Sequence, residues 1–537
     1  MPPNPWYRTA TFYELLPRAF RDSNGDGVGD LAGIIERLEY LEWLGVDCIW
    51  LPPFFDSPLR DGGYDVSDYL SVHPDLGTVE DMAQLLDAGH RRGLRVIADL
   101  PINHTSDAHP WFREARMPGS PMRNWYVWDE TGSRYPEARI IFLDYEASNW
   151  TWDPVAEANY WHRFYHHQPD LNYDNPEVGE AVLDVMRFWL DLGFDGFRLD
   201  AVPYLYERDG TNCENLPETH AYLKRVRRTI DEEYGGDRVL LAEANQWPID
   251  AAAYFGDGDE CHMNFHFPVM PRLYMALARE HVRDIVKILR DTPPIPETCQ
   301  WGIFLRNHDE LTLEMVTDED REFMWDVYAP EPASRLNLGI RRRLTPLVGN
   351  DRRALELLHG LLFSLPGSPI LYYGDEIGMG DDISLPDRDG VRTPMQWDGS
   401  LHAGFTGSGV DAAAVYPPIV AAEAYRPEQV NVAAQRADPG SLLNWVRSML
   451  AVRREHPEMG RGTFEILEHD NDAVLAFVRG MGSRATLVAV NVSEHPQAVH
   501  LPSLAGRVEA GDADLIVDPT GLIVQIGPLE FRWLRLS

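Results

Sequence analysis

The chain of 537 residues is too long for one ordinary domain, and its hydrophobic content of 44% suffices for a large core. Its 85 acidic against 48 basic residues give a formal net charge of −37, which argues against binding to nucleic acid or to an anionic membrane. No apolar run reaches transmembrane length, the N-terminus lacks the basic and apolar regions of a signal peptide, and the four cysteines show no metal-ligand spacing, so we expect a cytoplasmic protein.

The first 380 residues or so alternate short apolar segments with helical patterns. The apolar segments do not alternate strictly with polar residues, as is typical of strands that are buried on both faces. Eight such strands separated by helices predict an α/β fold, a (β/α)8 TIM barrel. The predicted strands are residues 11–16, 48–51, 95–100, 196–200, 239–243, 261–267, 300–307 and 369–373.

The spacing of these elements predicts three domains. About a hundred residues separate the third strand from the fourth, and they are rich in Trp, Tyr, His, Asp and Pro, which indicates an inserted domain B. After Pro457 the pattern changes to strands with turns between them, which predicts an antiparallel β-sandwich domain C. The predicted boundaries are 1–100 and 173–457 for barrel domain A, 101–172 for domain B and 458–537 for domain C.

Three carboxylates each close a short apolar segment: Asp200, Glu243 and Asp309. The C-terminal ends of parallel barrel strands converge on one pocket, and a pair of carboxyl groups there suits cleavage of a glycosidic bond. Arg198 lies two residues before Asp200 on the same strand face, which would keep Asp200 ionised as a nucleophile. Glu243 has apolar neighbours that would raise its pKa and suit a proton donor. Asp309 would then stabilise the transition state.

His104 follows the third strand in the run Asp99-Leu100-Pro101-Ile102-Asn103-His104. A lone Asn-His pair after a strand is weak evidence for any function. Its position at the same level of the barrel as the three carboxylates favours a sugar-binding role for His104.

Residues 22–30 have the sequence Asp-Ser-Asn-Gly-Asp-Gly-Val-Gly-Asp, in which oxygen ligands are spaced as in a calcium-binding loop. The predicted ligands are side-chain oxygens of Asp22, Asn24, Asp26 and Asp30 and the carbonyl of Val28. The bidentate acid of an EF-hand is missing, because glycine stands at that position. The alternative is a solvated turn of Asp and Gly residues.

Residues 99–104, 196–202, 243–247 and 304–309 resemble the conserved regions of the α-amylase family, glycoside hydrolase family 13, and 168–172 resembles a further signature of that family. The resemblance covers essentially the whole chain in the domain order A, B, A, C. It implies that Asp200 is the nucleophile, Glu243 the acid/base and Asp309 the transition-state stabiliser. The further sugar contacts that it implies are Asp61, Tyr64, His308 and Arg392, and a second calcium ion would be held by Asn103, Asp170, the carbonyl of Tyr204 and Glu207.

Residues 201–205, 207–220, 242–248 and 256–263 resemble more specifically the members of the family that interconvert maltose and trehalose. Cys213 and Asn264 depart from the expected residues without touching the proposed chemistry. This resemblance implies a reversible isomerase that works by double displacement through a β-glucosyl-enzyme, with minor hydrolysis to glucose. The alternatives are an α-glucosidase or a trehalose hydrolase of the same family and, from another class, a non-catalytic binding scaffold, which would have a degraded set of carboxylates.

Such an isomerase must exclude water while the freed glucose turns. Insertions at about 315–350 and 375–439 follow barrel strands on the active-site face, and we expect them to act as lids over the pocket. The implied ligands are a disaccharide substrate and one or two calcium ions, without an organic cofactor, nucleic acid or membrane. A homo-oligomer and a maltokinase partner are left open by the sequence.

Overall fold

A computed structural model describes residues 5–504, 515–518 and 521–536, with only the backbone of 515–518. Eight parallel strands form a closed barrel, each within or beside one of the eight predicted segments. The (β/α)8 prediction is therefore confirmed. The strands are β1 (Phe12–Glu14), β2 (Cys48–Leu51), β3 (Arg95–Pro101), β4 (Gly196–Asp200), β5 (Val239–Ala242), β6 (Met263–Phe265), β7 (Gln300–Phe304) and β8 (Ser368–Tyr372).

Helices between the strands bury their apolar sides against the barrel. The helix Leu31–Leu44 begins at Asp30, whose side chain accepts a hydrogen bond from the Gly33 N–H, and ends at Gly45 with a positive φ of 95°. No helix in the described part of the chain is both long and apolar enough to span a membrane. The remaining helices are Pro17–Phe20, Val79–His90, Pro110–Ala115, Pro176–Leu192, Pro217–Tyr234, Pro248–Ala253, Val269–Arg279, Arg283–Asp291, Asp318–Tyr328, Leu344–Leu347, Arg352–Ser364, Val432–Ala437, Leu442–Glu455 and Glu458–Arg461.

The segment between β3 and β4 forms a small domain on the C-terminal side of the barrel strands. Its three strands, Trp128–Asp129, Trp150–Asp153 and Ala158–Trp161, make an antiparallel sheet with Ala158–Trp161 in the middle. Bridges between His104 and Asp170 and between Tyr126 and Leu171 tie its two ends together. A two-stranded hairpin of Phe55–Asp56 and Asp68–Val72 follows β2.

The two long excursions after β7 and β8 contact each other. The first contains the helix Asp318–Tyr328 and a sheet of Leu311–Thr312, Arg335–Leu336 and Gly339–Ile340. From the end of that sheet, the Arg341 guanidinium donates to the carbonyls of Leu385 at 2.7 Å and Asp387 at 2.6 Å in the second excursion. A charged side chain that satisfies several main-chain carbonyls fixes the two loops relative to each other.

The C-terminal part is a sandwich of two antiparallel sheets, as predicted. One sheet has the order Thr463–Ile466, Val474–Met481, Arg484–Asn491, Phe531–Leu536, and the other has the order Gln497–Leu501, Gly521–Ile526, Leu515–Asp518. Alternate residues of Val474–Met481 face opposite sides. Val474 and Ala476 pack in the sandwich core, whereas Leu475 and Phe477 belong to the core that includes the barrel. The domain is therefore packed onto the barrel through one sheet face.

Candidate active site

The three strand-end carboxylates line one cavity at the C-terminal end of the barrel. Asp200 is the last residue of β4, Glu243 follows β5 directly, and Asp309 lies in the loop after β7. The cavity has a volume of about 120 Å³. Asp61, Tyr64 and His104, which the family resemblance and the strand position placed at the substrate, also line it. The other predicted sugar contacts, Arg198, His308 and Arg392, lie behind these residues and hold them.

Arg198 is 1% exposed and contacts both catalytic candidates. Its Nη1 donates to Asp200 Oδ1 at 2.5 Å and to Asp99 Oδ1 at 2.8 Å, and its Nη2 contacts Glu243 Oε1. The sequence argument that Arg198 distinguishes Asp200 from Glu243 is therefore wrong, because β4 and β5 are neighbours and one guanidinium reaches both side chains. The shared contact holds the two carboxylates side by side, as the pair of acids of a glycosidase must be.

Burial raises the pKa of both carboxyl groups, and Arg198 opposes the shift of each. Desolvation raises the pKa of Glu243 to about 7, against the opposing charge of Arg198. Desolvation raises the pKa of Asp200 to about 6, and Arg198 again opposes the shift. Both groups thus hold a proton more readily than ordinary carboxyl groups, and Glu243, which has the higher ordinary pKa, is the one suited to act as general acid.

Asp309 is held as an anion by its neighbours. Although burial raises the pKa of Asp309, the positive charges of His308, Arg388 and Arg392 keep it well below its usual range. His308 Nε2 lies 3.1 Å from Asp309 Oδ2, and its Nδ1 contacts Glu14 Oε1. Burial lowers the pKa of His308, but the two carboxylates outweigh it and raise the pKa to about 9. A charged His308 between two anions fixes the orientation of Asp309.

Tyr64 provides an aromatic wall that is fixed from behind. Its ring is stacked on His308 with centroids 5.2 Å apart and 14° between the planes. Its hydroxyl donates to Asp99 Oδ2 at 2.8 Å and lies 2.7 Å from His308 Nε2. His104 stands beside it, with Nε2 3.2 Å from the Tyr64 carbonyl, and burial lowers the pKa of His104 to about 4, so it is neutral.

Two arginines close the other side of the site, Arg392 and Arg388. Sequence reasoning missed Arg388. Arg392 donates to Asp309 Oδ1 at 3.1 Å and to the His308 carbonyl at 2.9 Å, and it does not line the cavity. Arg388 does line it, donating to Asp309 Oδ1 at 3.1 Å and to Asp61 Oδ1 at 3.2 Å. It lies four residues before Arg392, in the same loop, and that proximity was the signal available in the sequence.

The mouth of the cavity is tied across by Arg139 of the inserted domain. Its Nε donates to Glu214 Oε1 at 2.8 Å, and its Nη1 lies 3.2 Å from Glu314 Oε1, in the excursion after β7. Asn245, next to the β5 end, donates to Glu314 Oε2 at 2.8 Å. Asn245, Glu310 and Glu314 line the cavity and were not predicted. These contacts connect the inserted domain, the excursion and the barrel rim around the cavity.

A second tie joins the same two segments at Asp144 and Asn337. The Asn337 N–H donates to Asp144 Oδ2 at 2.7 Å, and the Asn337 amide donates to Glu310 Oε1 at 3.1 Å. Tyr328, in the excursion helix, does not line the cavity. Its hydroxyl donates to the Tyr274 carbonyl at 2.7 Å, so it anchors the far side of the excursion.

The second predicted calcium set contains three buried oxygens that lack a hydrogen-bond partner: Asn103 Oδ1, Asp170 Oδ2 and Glu207 Oε1. Burial raises the pKa of Asp170 to about 8 and that of Glu207 well above its usual range. Unpaired buried carboxylate oxygens are costly without a counter-charge. The set consists of oxygen donors, which Ca²⁺ prefers, so these residues fit a calcium ion.

The loop at residues 22–30 is satisfied internally. Asp22 Oδ1 accepts from the N–H of Asn24 at 3.0 Å and of Gly25 at 2.6 Å, and Asp30 accepts from Ser23 and caps the following helix. No three His, Cys, Asp or Glu side chains are grouped as a metal site among the described residues. The other predicted calcium set has only two acidic side chains, Asp170 and Glu207, because its remaining ligands are an amide and a main-chain carbonyl. The loop therefore has suitable oxygen donors but no buried oxygen that lacks a partner.

The sequence matches the family described as alpha amylase, catalytic domain, over residues 14–328 and 341–462. It is 61% identical over 510 residues to the trehalose synthase/amylase TreS of Mycolicibacterium smegmatis, which covers 92% of this chain and 86% of the relative. It is 58% identical over 552 residues to the trehalose synthase of Pimelobacter sp. (strain R48), with coverages of 99% and 96%.

A probable alpha-glucosidase of Rhizobium meliloti is more distant, at 33% identity over 551 residues, with coverages of 93% and 92%. Among solved structures, the alpha-glucosyl transfer enzyme XgtA is similar with a TM-score of 0.81 at 31% identity, over 99% of this chain and 100% of that one. Together with the closed barrel and the three strand-end carboxylates, these similarities identify the chain as a member of the α-amylase family, glycoside hydrolase family 13.

Proposed function

We propose that the chain is a trehalose synthase, an isomerase that converts maltose into trehalose and back by intramolecular transfer of a glucosyl group. The observation that carries this proposal is the small cavity that holds Asp200, Glu243 and Asp309 and is tied across its mouth by Arg139. The relatives named trehalose synthase support it, because they cover most of the chain at 58–61% identity.

Each residue of the triad has a role that follows from its surroundings. Asp200 attacks C1 of the non-reducing glucose of maltose while Glu243 gives a proton to the departing 4-oxygen, and a β-glucosyl-enzyme and glucose result. Asp309, which is held as an anion, stabilises the oxocarbenium-like transition state and binds sugar hydroxyls. Asp61 and Arg388 reach the far hydroxyls of the glucose in the cleavage site, and Tyr64 packs against its ring.

The freed glucose then turns within the cavity. Glu243 removes the proton from its anomeric hydroxyl, which attacks C1 of the glucosyl-enzyme and releases Asp200. Two inversions retain the α configuration at C1 of the transferred glucose, and attack by the α-anomeric hydroxyl of the freed glucose makes the bond α,α-1,1. Water that enters at this stage gives a second glucose instead, so the yield of trehalose depends on how tightly the cavity is closed.

Product analysis tests this proposal directly. Proton NMR of the protein with maltose alone should show an α,α-1,1 anomeric signal that grows with time, and trehalose alone should give maltose. The appearance of glucose alone from maltose would favour the α-glucosidase alternative, and glucose alone from trehalose would favour the trehalose hydrolase.

Arg139→Ala should increase the fraction of turnovers that end in hydrolysis. The substitution removes the contacts that join the inserted domain to Glu214, in the loop after β4, and to Glu314, in the excursion after β7. We expect the ratio of glucose to trehalose formed from maltose to rise several-fold while the triad is intact. Arg134→Ala is the matched control, since Arg134 lies in the same domain and pairs with Asp209 on the surface. An unchanged product ratio in Arg139→Ala would contradict the assignment.

The pH dependence of kcat/KM should be a narrow bell. Asp200 must be ionised, so activity falls as the pH drops below its pKa of about 6. Glu243 must be protonated, so activity falls as the pH rises above its pKa of about 7. Because the two groups share Arg198, the limbs report the pair rather than separate residues. Rates for maltose that stay constant from pH 7 to 9 would contradict the assignment of Glu243 as the acid.

Calcium bound by Asn103, Asp170, the Tyr204 carbonyl and Glu207 should stabilise the fold. The ion would supply the missing partner of the buried oxygens at the junction of the inserted domain and the barrel. EDTA should lower the thermal unfolding temperature by several degrees, and CaCl2 should restore it. Elemental analysis should find calcium in the untreated protein and less of it in Asp170→Asn. A protein that contains no calcium and whose unfolding temperature does not change when EDTA is added would contradict this site.

A further calcium ion at the loop of residues 22–30 is proposed independently of the first. It is supported by the donor chemistry of that loop and would stabilise it without entering the reaction. The cytoplasmic location and the three domain boundaries stay predictions, as do a homo-oligomer and a maltokinase partner.

A further inference from the structure

A second cavity lies at the end of the barrel opposite the active site. Its lining includes Thr11, Asp47 and Arg95, which precede or begin β1, β2 and β3. It also includes residues from the end of the helix Leu442–Glu455 to Arg461. The volume of about 510 Å³ falls in the usual range for small-molecule pockets. The cavity is therefore large enough for a ligand of its own.

The lining of this cavity has a positive charge in a strongly acidic chain. Four arginines contribute to it, Arg95, Arg453, Arg454 and Arg461, and Asp47 is the single carboxylate among its lining residues. The formal net charge of the whole chain is −37. A local excess of guanidinium groups in such a chain creates a field that attracts anions.

Two of these arginines already have carboxylate partners. Arg95 Nη1 lies 2.9 Å from Asp195 Oδ1 and 3.1 Å from Asp237 Oδ2. Arg454 Nη2 lies 3.5 Å from Asp47 Oδ1, and its side chain is 62% exposed. Asp47 is thus ion-paired with Arg454, and its charge also acts on the more distant Arg453.

Arg453 and Arg461 have no carboxylate within 4.0 Å among the described residues. Arg453, which is 4% exposed, donates to the main-chain carbonyls of Phe363 and, at 3.0 Å, Gly367. The first of these carbonyls lies in the last turn of the helix Arg352–Ser364, whose dipole offsets part of the charge. The Nε atoms of both arginines are buried and find no hydrogen-bond partner within the described part of the chain.

More positive charge lies close behind Arg453. Arg479 is 1% exposed and donates to the carbonyls of Ser364 at 2.9 Å and Thr463 at 3.2 Å. Burial first, and then the charge of Arg453, lower the pKa of Arg479 to about 9. The nearby carboxylate of Glu458 accepts from Thr486 at 2.9 Å and lies 2.7 Å from His456 Nδ1. Buried cations that lack a directly paired carboxylate are costly, and a bound anion would relieve part of that cost.

We propose that this cavity binds a phosphorylated small molecule, whose phosphate contacts Arg454 and Arg461 beside the buried charge of Arg453. The planar guanidinium offers parallel N–H groups that match phosphate oxygens, and several arginines together favour phosphate over a single carboxylate. A phosphate dianion would balance the two arginines that lack acids. The rest of the cavity accepts the group that the phosphate is attached to.

Isothermal titration calorimetry at low salt tests the site, with ribose 5-phosphate, inorganic phosphate and ribose as probes. We expect ribose 5-phosphate to bind with a submillimolar Kd and ribose not to bind. Inorganic phosphate that binds as tightly would identify the free anion as the ligand. The doubly substituted Arg454→Gln, Arg461→Gln protein should bind at least about tenfold more weakly, or about 1.4 kcal/mol. These two arginines lie outside the sugar site, so turnover of maltose should be unchanged.

The matched control is Arg283→Gln with Arg290→Gln, which removes the same charge from two arginines that do not line the cavity. It should bind ribose 5-phosphate like the unsubstituted protein. Equal loss of binding in both double variants would show that binding depends on the net charge of the protein and not on this cavity, and it would overturn the site. The absence of binding to the unsubstituted protein would overturn it as well. If the double variant fails to fold, Arg461→Gln alone gives the same comparison.

Discussion

Asp200→Ala should reduce kcat for maltose by a factor of about 10⁴ or more, because it removes the group that forms the glucosyl-enzyme. Added azide should restore turnover of α-glucosyl fluoride, whose fluoride leaves without a proton from Glu243. Azide then attacks C1 from the face that Asp200 occupied, so the product should be β-glucosyl azide. NMR of that product identifies the anomer.

The control for Asp200→Ala is Asp195→Asn, just before the same strand. Asp195 pairs with Arg95 at 2.9 Å and with His90 at 2.8 Å, far from the sugar cavity. The Asp195→Asn variant should be less stable than the unsubstituted protein and should keep its activity on maltose. Formation of α-glucosyl azide by Asp200→Ala, or substantial activity on maltose without azide, would contradict the role of Asp200 as the nucleophile.

Glu243→Ala should reduce kcat for maltose by a similar factor. With azide it should give the opposite anomer of the glucosyl azide. Its first step survives with α-glucosyl fluoride, because fluoride needs no general acid, and Asp200 still forms the β-glucosyl-enzyme. Azide then attacks from the opposite face and should give α-glucosyl azide. The high-pH limb of the kcat/KM profile should also disappear from the residual activity on maltose, since the coupled pair then lacks the carboxyl group that must be protonated.

Two results would contradict the role of Glu243. One is β-glucosyl azide from Glu243→Ala, which would exchange the roles of the two carboxylates. The other is a high-pH limb that persists in the variant. The opposite anomers expected from Asp200→Ala and Glu243→Ala make the pair of experiments sharper than loss of activity, which any damaged site would show.

The barrel was predictable because its strands are short apolar segments with sharp ends. The triad followed from them, because Asp200 and Glu243 stand where β4 and β5 end, and a parallel barrel brings those ends together. The role of Arg198 was only half predictable. Spacing along one strand places it beside Asp200, whereas its contact to Glu243 depends on the neighbouring strand.

The closure of the cavity could not be predicted residue by residue. Arg139, Glu314 and Arg388 lie in segments without helical or strand periodicity, and their partners are far away in sequence. A pattern argument can locate such segments on the active-site face, but it does not tell which side chains meet across the mouth. These contacts arise from the way the excursions fold over the barrel.

The central claim is that one glucose is released, retained and rejoined within the same closed cavity. It is tested most directly by incubating the protein with unlabelled maltose in the presence of excess [¹³C]glucose and analysing the trehalose by NMR. The account predicts trehalose that is almost free of ¹³C, because the freed glucose does not exchange with solvent. Trehalose that carries ¹³C in proportion to the added glucose, or the formation of glucose without trehalose, would contradict it.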